Sequence, residues 1–589
     1  MSGHFRHAMP YGAELQGDGN TRFRLWAPDA ARVQLEIGEG ARHAMRALGD
    51  GWHQCVHEAP AGTPYRYILR DGLSVPDPAS RLQQAGDVHG ASLVVDPAAY
   101  DWQHALWKGR PWREAVVYEL HVGACGGFRG VQSMLPGLHA LGVTAIELMP
   151  VAQFPGRRNW GYDGVLPFAP AGAYGTPEEL KALVDAAHGL GLMMILDVVY
   201  NHFGPDGNYL GEYASPFFRS DGPPTPWGAA IDVARPPVGD FFVHNALYWL
   251  QEYRFDGLRL DAVHALHDPS WLLSLAARVR AAAGERQLHL LLENEANQAH
   301  LLGPDRFDAQ WNDDFHNALH VLLTGETAGY YGAYAEDPIG KLVRCLAEGF
   351  AWQGEPMRGT PRGEPSAGLS PLCFVDFLQN HDQVGNRALG ERLTVLADPK
   401  LLEAAYALLL LTPTVPMLFM GEEWGSRAPF LFFADHQNEA LRTAVREGRR
   451  KEFAEFEGHG KADVPDPNAR SSFERSRPDP HEAATPAGIA RLTLIRLLLS
   501  QRRQYLLPRL QQARPLGARA LGARALDARW QLGDARLHVY CNLGRNTAAV
   551  DARATADARW LHGEASAIAA LAEGRLAPTC TLVCLEPSA

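Results

Sequence analysis

The chain has 589 residues, 46% of them hydrophobic and 21% charged, with a formal net charge of -12. That length exceeds what one hydrophobic core organises, so two to four domains are expected. The acidic balance argues against a nucleic-acid partner and fits a neutral, polar substrate; no apolar run is long enough for a membrane span, and no leader-like segment is seen.

Residues 1 to about 100 alternate short strand-like runs with Pro- and Gly-marked turns: "TRFRLWAPDA", "RVQLEIG", "YRYILRDG". This pattern predicts a small β-sandwich. From about residue 112 a helix–glycine–strand unit takes over. In "GTPEELKALVDAAHGLGLMMILDVVYNH", Thr176 and Glu179 form a capping box with Pro177 at the first helical position. Leu180, Leu183, Val184 and Ala187 then repeat at helical spacing, glycine stops the helix, and "MMILDVVY" follows as a continuous apolar run. Such a run suits a parallel strand buried on both faces.

Eight strand candidates of this kind follow in order: "AVVYELHVG", "VTAIELMP", "MMILDVVY", "RFDGLRLDAVH", "RQLHLLLENEAN", "FDAQWNDDF", "LCFVDFLQNHD" and "VPMLFMGEEWG". They predict an α/β chain built on a (β/α)8 TIM barrel over 112–505. A doubly wound dinucleotide fold is disfavoured, because "GACGGFRG" lacks the G-x-G-x-x-G spacing. "GEPMRGTPRGEPSAGLS" and "EGHGKADVPDPNARSSFERSRPDP" read as long loops. Residues 515–589 read as a small C-terminal β domain, and its Ala/Arg-rich "LGARALGARALDAR" as compositional bias. Seven scattered cysteines, without a CxxC pair or zinc spacing, predict reduced and mostly buried thiols, a cytoplasmic location and no metal site.

The apolar runs share one feature: they end in polar residues. Asp197, Asp261, Glu293 and the pair His381–Asp382 close four of them, with Asp313 and Glu422 nearby. In a parallel barrel all C-terminal strand ends lie on one rim, so these groups converge on one cleft. Metal-assisted hydrolysis wants H-x-H or H-E-x-x-H, and neither occurs. Glycoside hydrolysis needs one ionised carboxylate and one protonated acid. In "GLRLDAVH", Arg259 and Asp261 share a strand face, which suits an ionised Asp261. Glu293 ends the apolar "LHLLLE", a setting that favours the neutral acid.

"DVVYNH" (197–202), "GLRLDAVH" (257–264), "LLLEN" (290–294) and "NHD" (380–382) together resemble the four short segments of the α-amylase superfamily of glycoside hydrolases. Carried over, the resemblance implies Asp261 as nucleophile, Glu293 as acid/base and Asp382 as a third carboxylate on the ring hydroxyls of the sugar being cleaved. His202, Arg259 and His381 would line that subsite and Tyr162 would stack under the sugar. Finer motifs resemble the maltooligosyltrehalose trehalohydrolases of that superfamily: "TPWGAAID", "DAQWNDDFHNALHVLLTGE", "NHDQVGNRALGERL" and "VREGRRKEFAEF". The N-terminal "RFRLWAPDAARVQLEI" resembles the glycan-binding-like sandwich preceding the barrel in branching, debranching and trehalohydrolase enzymes. The implied reaction is hydrolysis of the α-1,4 bond that joins a maltooligosyl chain to a terminal trehalose, with no cofactor and with a maltooligosyltrehalose synthase supplying the substrate. His264, Trp311, Asn312, Asp313, Gln383 and Asn386 complete the candidate binding residues, the 311–316 segment forming part of the leaving-group pocket. Trp160, Trp227, Trp311 and Trp424 are candidate stacking platforms. Asn317, where the family often has His, and Glu295, where it often has Asp, are departures expected beside that pocket. The rival readings are an α-1,6 branching or debranching enzyme and a non-catalytic glycan-binding barrel.

Overall fold

The computed structural model describes residues 3–38, 40–220, 227–454, 464–551 and 557–588. Gly12–Leu15, Asn20–Trp26, Trp52–Glu58 and Arg46–Gly49 form one antiparallel sheet at the N-terminal end. Ala41–Ala44, Gln34–Ile37, Pro64–Ile68, Ser74–Val75 and Ser92–Leu93 form a second. Along Asn20–Trp26 buried and half-buried residues alternate, the period-2 signature of a sheet with one covered face. Phe23, Leu35, Tyr65 and Tyr67 are buried between the sheets.

All eight predicted strands form, and they close into a parallel barrel: Val117–Leu120, Ala145–Leu148, Met193–Val198, Gly257–Leu260, His289–Leu292, Ala309–Trp311, Phe374–Phe377 and Val415–Phe419. Every residue of the fourth strand is buried, as are those of its neighbours, which is why these runs are apolar throughout rather than alternating. The helix Pro177–Gly189 starts with the predicted capping box: Thr176 accepts from Glu179 N–H, and Glu179 reaches back to the Thr176 amide. The in-register pairing of Asp197 with Arg259 across the third and fourth strands sets a carboxylate beside a guanidinium inside the barrel.

Three loop and repeat expectations change. Within 354–370, Pro356–Met357 and Thr360–Pro361 make a short hairpin. Of the predicted loop 457–480, residues 457–463 lie outside the described residues, and Arg470–Arg475 is helical. The Ala/Arg-rich stretch is regular structure: Ala513–Gly522 pairs antiparallel with Ala525–Leu532, and Arg519 stands opposite Asp527. Its first strand is a largely exposed edge, where arginine discourages pairing with other chains and apolar content is not needed. These two strands begin a five-stranded C-terminal sheet completed by Ala535–Asn542, Cys580–Pro587 and Arg559–His562. All seven cysteines are free, and Cys345, Cys373, Cys541 and Cys584 are buried. No single helix among the described residues is long and apolar enough to cross a membrane.

Candidate active site

Arg259 is the hub of the barrel's C-terminal rim. Its side chain is completely buried and touches three carboxylates: Nη1 lies 2.6 Å from Asp197 Oδ2 and 2.9 Å from Asp261 Oδ1, while Nη2 lies 2.7 Å from Glu293 Oε2. The guanidinium stacks on Trp311 at 4.1 Å. Arginine suits this post because its planar fork serves several acceptors at once. The expectation of an apolar setting for Glu293 is therefore overturned. Its strand is apolar along the barrel wall, but the carboxyl, one residue past the strand end, turns to the rim and accepts from Arg259 and from Ala262 N–H at 2.9 Å.

Ala262 is in the left-handed region at φ 40°, a strained conformation for a residue with a Cβ. This bend directly after Asp261 aims the Ala262 amide at Glu293 while Asn201 Nδ2 holds Asp261 Oδ2 at 2.8 Å. Asp382 joins through a second chain of contacts. Tyr162 OH donates to Asp197 Oδ2 at 2.8 Å and accepts from His381 Nε2 at 2.8 Å, and His381 Nε2 is 3.4 Å from Asp382 Oδ1. Tyr162 reaches that position because Gly161 bends the chain at φ 108°; a Cβ there would sit 2.2 Å from the Pro150 carbonyl oxygen.

Charge in this cluster is held by a few groups. Burial pushes Asp197 up to about 7, against the opposing pull of Arg259. Burial works against a charge on His381, yet Asp382 and Glu119 outweigh it and hold the imidazole up to about 9; its Nδ1 donates to Glu119. Burial, reinforced by Glu293, pushes Asp313 up to about 8. Glu147, paired in register with Glu119, is buried with neither carboxyl oxygen bonded among the described residues; burial and then Glu119 drive it far above the carboxylate range, which favours its neutral form.

Exposure sorts the candidates. The side chains of Asp261, Glu293 and Asp382 are 11%, 19% and 35% open to solvent, whereas Asp197 is closed at 1%. The three acids expected to act are thus each partly open to solvent, and Asp382 lies within the electrostatic reach of Glu293 and Arg259. Gln383 meets Asp313, its Nε2 lying 3.3 Å from Asp313 Oδ1, and Asn386 Nδ2 donates to Asp382 Oδ1 at 3.2 Å. His202 is buried and its Nε2 donates to the Tyr162 carbonyl, 2.9 Å away, with its ring stacked on Trp227.

Several other candidates are packed away from solvent. Trp311, only 1% exposed, supports Arg259 from below and offers no face to a sugar. Trp160 is buried too, its ring packed on Phe430 and its Nε1 donating to the Leu431 carbonyl. Asn312 is buried as the cap of helix Asp313–Thr324 and donates to Asp376. Glu422 is turned inward, accepting from Tyr406 OH and Phe419 N–H. His264 is half-buried on the turn Val263–Leu266, and its Nδ1 has no partner among the described residues. Of the four proposed platforms only Trp227, 48% exposed, presents an open face; Trp424 is half-buried, and Thr225 and Pro226 of "TPWGAAID" lie outside the described residues. Of the two departures, Asn317 is buried on helix Asp313–Thr324, while Glu295 is exposed and shares the field of Arg362 with Asp313.

Glu119 and Asn201 were not singled out as site residues from the sequence. The signal was there: each is a polar residue embedded in or directly ending an apolar run, as Asp261 is.

A closed parallel barrel whose carboxylates gather at the C-terminal ends of its strands around one guanidinium defines a glycoside hydrolase of the α-amylase type. The α-amylase catalytic-domain family matches residues 86–222, and a domain family of unknown function, DUF3459, matches 513–584. The chain is 43% identical over 502 residues to the malto-oligosyltrehalose trehalohydrolase of Deinococcus radiodurans, covering 83% of this chain and 82% of that one. It is 42% identical over 463 residues to the malto-oligosyltrehalose trehalohydrolase of Saccharolobus solfataricus, covering 75% and 80%. The crystal structure of a putative alpha amylase from Salmonella typhimurium superposes with a TM-score of 0.92 at 43% identity, covering 98% of this chain and all of the other. The chain belongs to the malto-oligosyltrehalose trehalohydrolase family.

Proposed function

We propose that this enzyme is a retaining glycosidase that hydrolyses the α-1,4-glucosidic bond next to the terminal trehalose of maltooligosyltrehalose, releasing trehalose and a maltooligosaccharide. The observation that carries the reading is the single guanidinium of Arg259 holding one oxygen of Asp261 and one of Glu293, in a chain of the trehalohydrolase family. Sharing one guanidinium keeps the two carboxyls close together, which favours the short separation of a double displacement over the wider one of an inverting enzyme. In this reading Glu293 protonates the glycosidic oxygen as Asp261 attacks the anomeric carbon, and trehalose leaves. Glu293, now a base, then activates water, which releases the glycan with retained configuration. Asp382 binds the ring hydroxyls of the distorting sugar, and Tyr162, with His381 stacked 5.2 Å behind it, supports that ring from below. Asp313, Gln383 and Glu295 border the leaving-group side.

The domain division belongs to the same proposal: a sandwich over 1–100, the catalytic barrel over 112–505 and a β domain over 515–589. So does its setting, a reducing cytoplasm that leaves seven thiols free, with a maltooligosyltrehalose synthase supplying the substrate. The test is product analysis on maltotriosyl trehalose and on glycogen. Trehalose from the first, with the second untouched, is expected; α-1,6 cleavage or transfer on glycogen would replace the reading. Asp261→Asn and Glu293→Gln should each cut trehalose release by about 100-fold or more while leaving the melting temperature in place.

A further inference from the structure

The motif "VREGRRKEFAEF" contributes nothing to the site described above, yet one of its residues reaches it. Helix Glu439–Ala454 carries residues 445–454 of this motif. Its arginines differ: Arg442 is 42% exposed, while Arg449 is closed at 14% and lies 5.2 Å over Phe432 and 4.6 Å over Phe453. Arg449 Nη2 donates to the Gly385 carbonyl at 2.8 Å, and Nη1 approaches Asn386 Oδ1 at 3.3 Å and Glu452 Oε2 at 3.0 Å. Asn386 Nδ2 in turn donates to Asp382 Oδ1 at 3.2 Å.

Asp382 sits on His381–Gly385, a single helical turn too short to hold its own geometry. The front of the turn is fixed by Asn380, whose Oδ1 accepts from Asp382 N–H at 2.9 Å and Gln383 N–H at 3.3 Å. The back is met by Arg449, which supplies the missing donor for the Gly385 carbonyl. A guanidinium has only donors, so it admits one orientation of the Asn386 amide: oxygen toward Arg449, NH2 toward Asp382.

We propose that Arg449 is a positioning residue, one that fixes the Asn386 amide and the end of this turn and so sets the angle at which Asp382 meets the sugar. The inference rests on the role given to Asp382 under Proposed function. Arg449→Met keeps an aliphatic stem against Phe432 and Phe453 and removes the donors. It is expected to lower kcat on maltotriosyl trehalose about 10- to 150-fold, the scale of one hydrogen bond to a charged group, with KM and melting temperature near native. Asn386→Ala added to Arg449→Met should cost little more, because both cut one relay, and Arg449→Lys should recover part of the loss. Arg442→Met, on the same helix, should be native-like. A native kcat for Arg449→Met, fully additive losses, or a loss confined to the melting temperature overturns the proposal. Asp382→Asn separates the two levels. If it is inactive while Arg449→Met is native, only the positioning role falls; if it is fully active, the reading of the site falls and takes this inference with it.

Discussion

Replacing Arg259 by Lys keeps a positive charge inside the barrel and removes one of its two donor ends. In the native protein Nη1 serves Asp197 and Asp261, and Nη2 serves Glu293, at 2.6, 2.9 and 2.7 Å. A single ammonium can occupy the Nη1 position but cannot also reach the acceptor that Nη2 meets. The variant therefore loses the charge-assisted bond to Glu293, about 1.5–3 kcal/mol, and the planar stack on Trp311, a further ~0.5–2 kcal/mol. If the first quantity is expressed in catalysis, kcat/KM for trehalose release falls about 10- to 150-fold. The second appears as a lower melting temperature. Arg259→Ala is a different experiment: it strands buried carboxylates without a cation, at about 3–5 kcal/mol, so misfolding as well as inactivity is expected. Steady-state trehalose release and a thermal melt on the Lys variant decide the matter. A Lys variant within about twofold of native kcat/KM would show that the Glu293 contact does not position the acid, and the argument built on the shared guanidinium would fail.

His381 is held up to about 9, so kcat/KM should fall as pH rises through that value, and Glu119→Gln should move the fall to lower pH. Stability has the same sign: His381, Asp197 at about 7 and Asp313 at about 8 all hold their protons more tightly when folded. Their contributions are complete below the unfolded values and are lost as pH rises, so melting temperature should decline from pH 6 to 9.5, less steeply in Asp313→Asn. The two tryptophans of the site should separate cleanly. Trp227→Ala removes an exposed face and should raise KM with little change in melting temperature, whereas Trp311→Ala empties a buried site and should cost about 3–5 kcal/mol. Equal thermal effects in the two variants would contradict their assignments. Tyr162→Phe keeps the ring and deletes the bonds to Asp197 and His381; a kcat loss of about 10-fold or more is expected, and native kinetics would show that the link between the two halves of the site is dispensable.

Local physics made much of this protein legible in one dimension. An apolar run buried on both faces reads as a parallel strand, a capping box reads as a helix start, and a carboxylate that ends an apolar run needs a reason. Those signals suffice for the eight strands and the helix after Thr176, and they mark Asp197, Asp261, Glu293 and Asp382 alike as groups to account for; the roles proposed for three of them rest on the family resemblance. What they cannot carry is direction and sharing. The apolar "LHLLLE" says nothing of where Glu293 turns after the strand ends, so its contact with Arg259 came only with the fold. Trp311, in the polar "AQWNDD", is buried against Arg259, and Trp227, in "TPWGAA", is half open to solvent; only the packing of the elements around them decides which. The Ala/Arg-rich stretch hides a strand pair because an exposed edge needs no apolar pattern. Arg449 stands 67 positions from Asp382 and meets it through a fold that returns the chain over its own rim. Sequence determines which groups must be neutralised or bonded; tertiary structure chooses the partners, because a pairing depends on distances that close only when the barrel does.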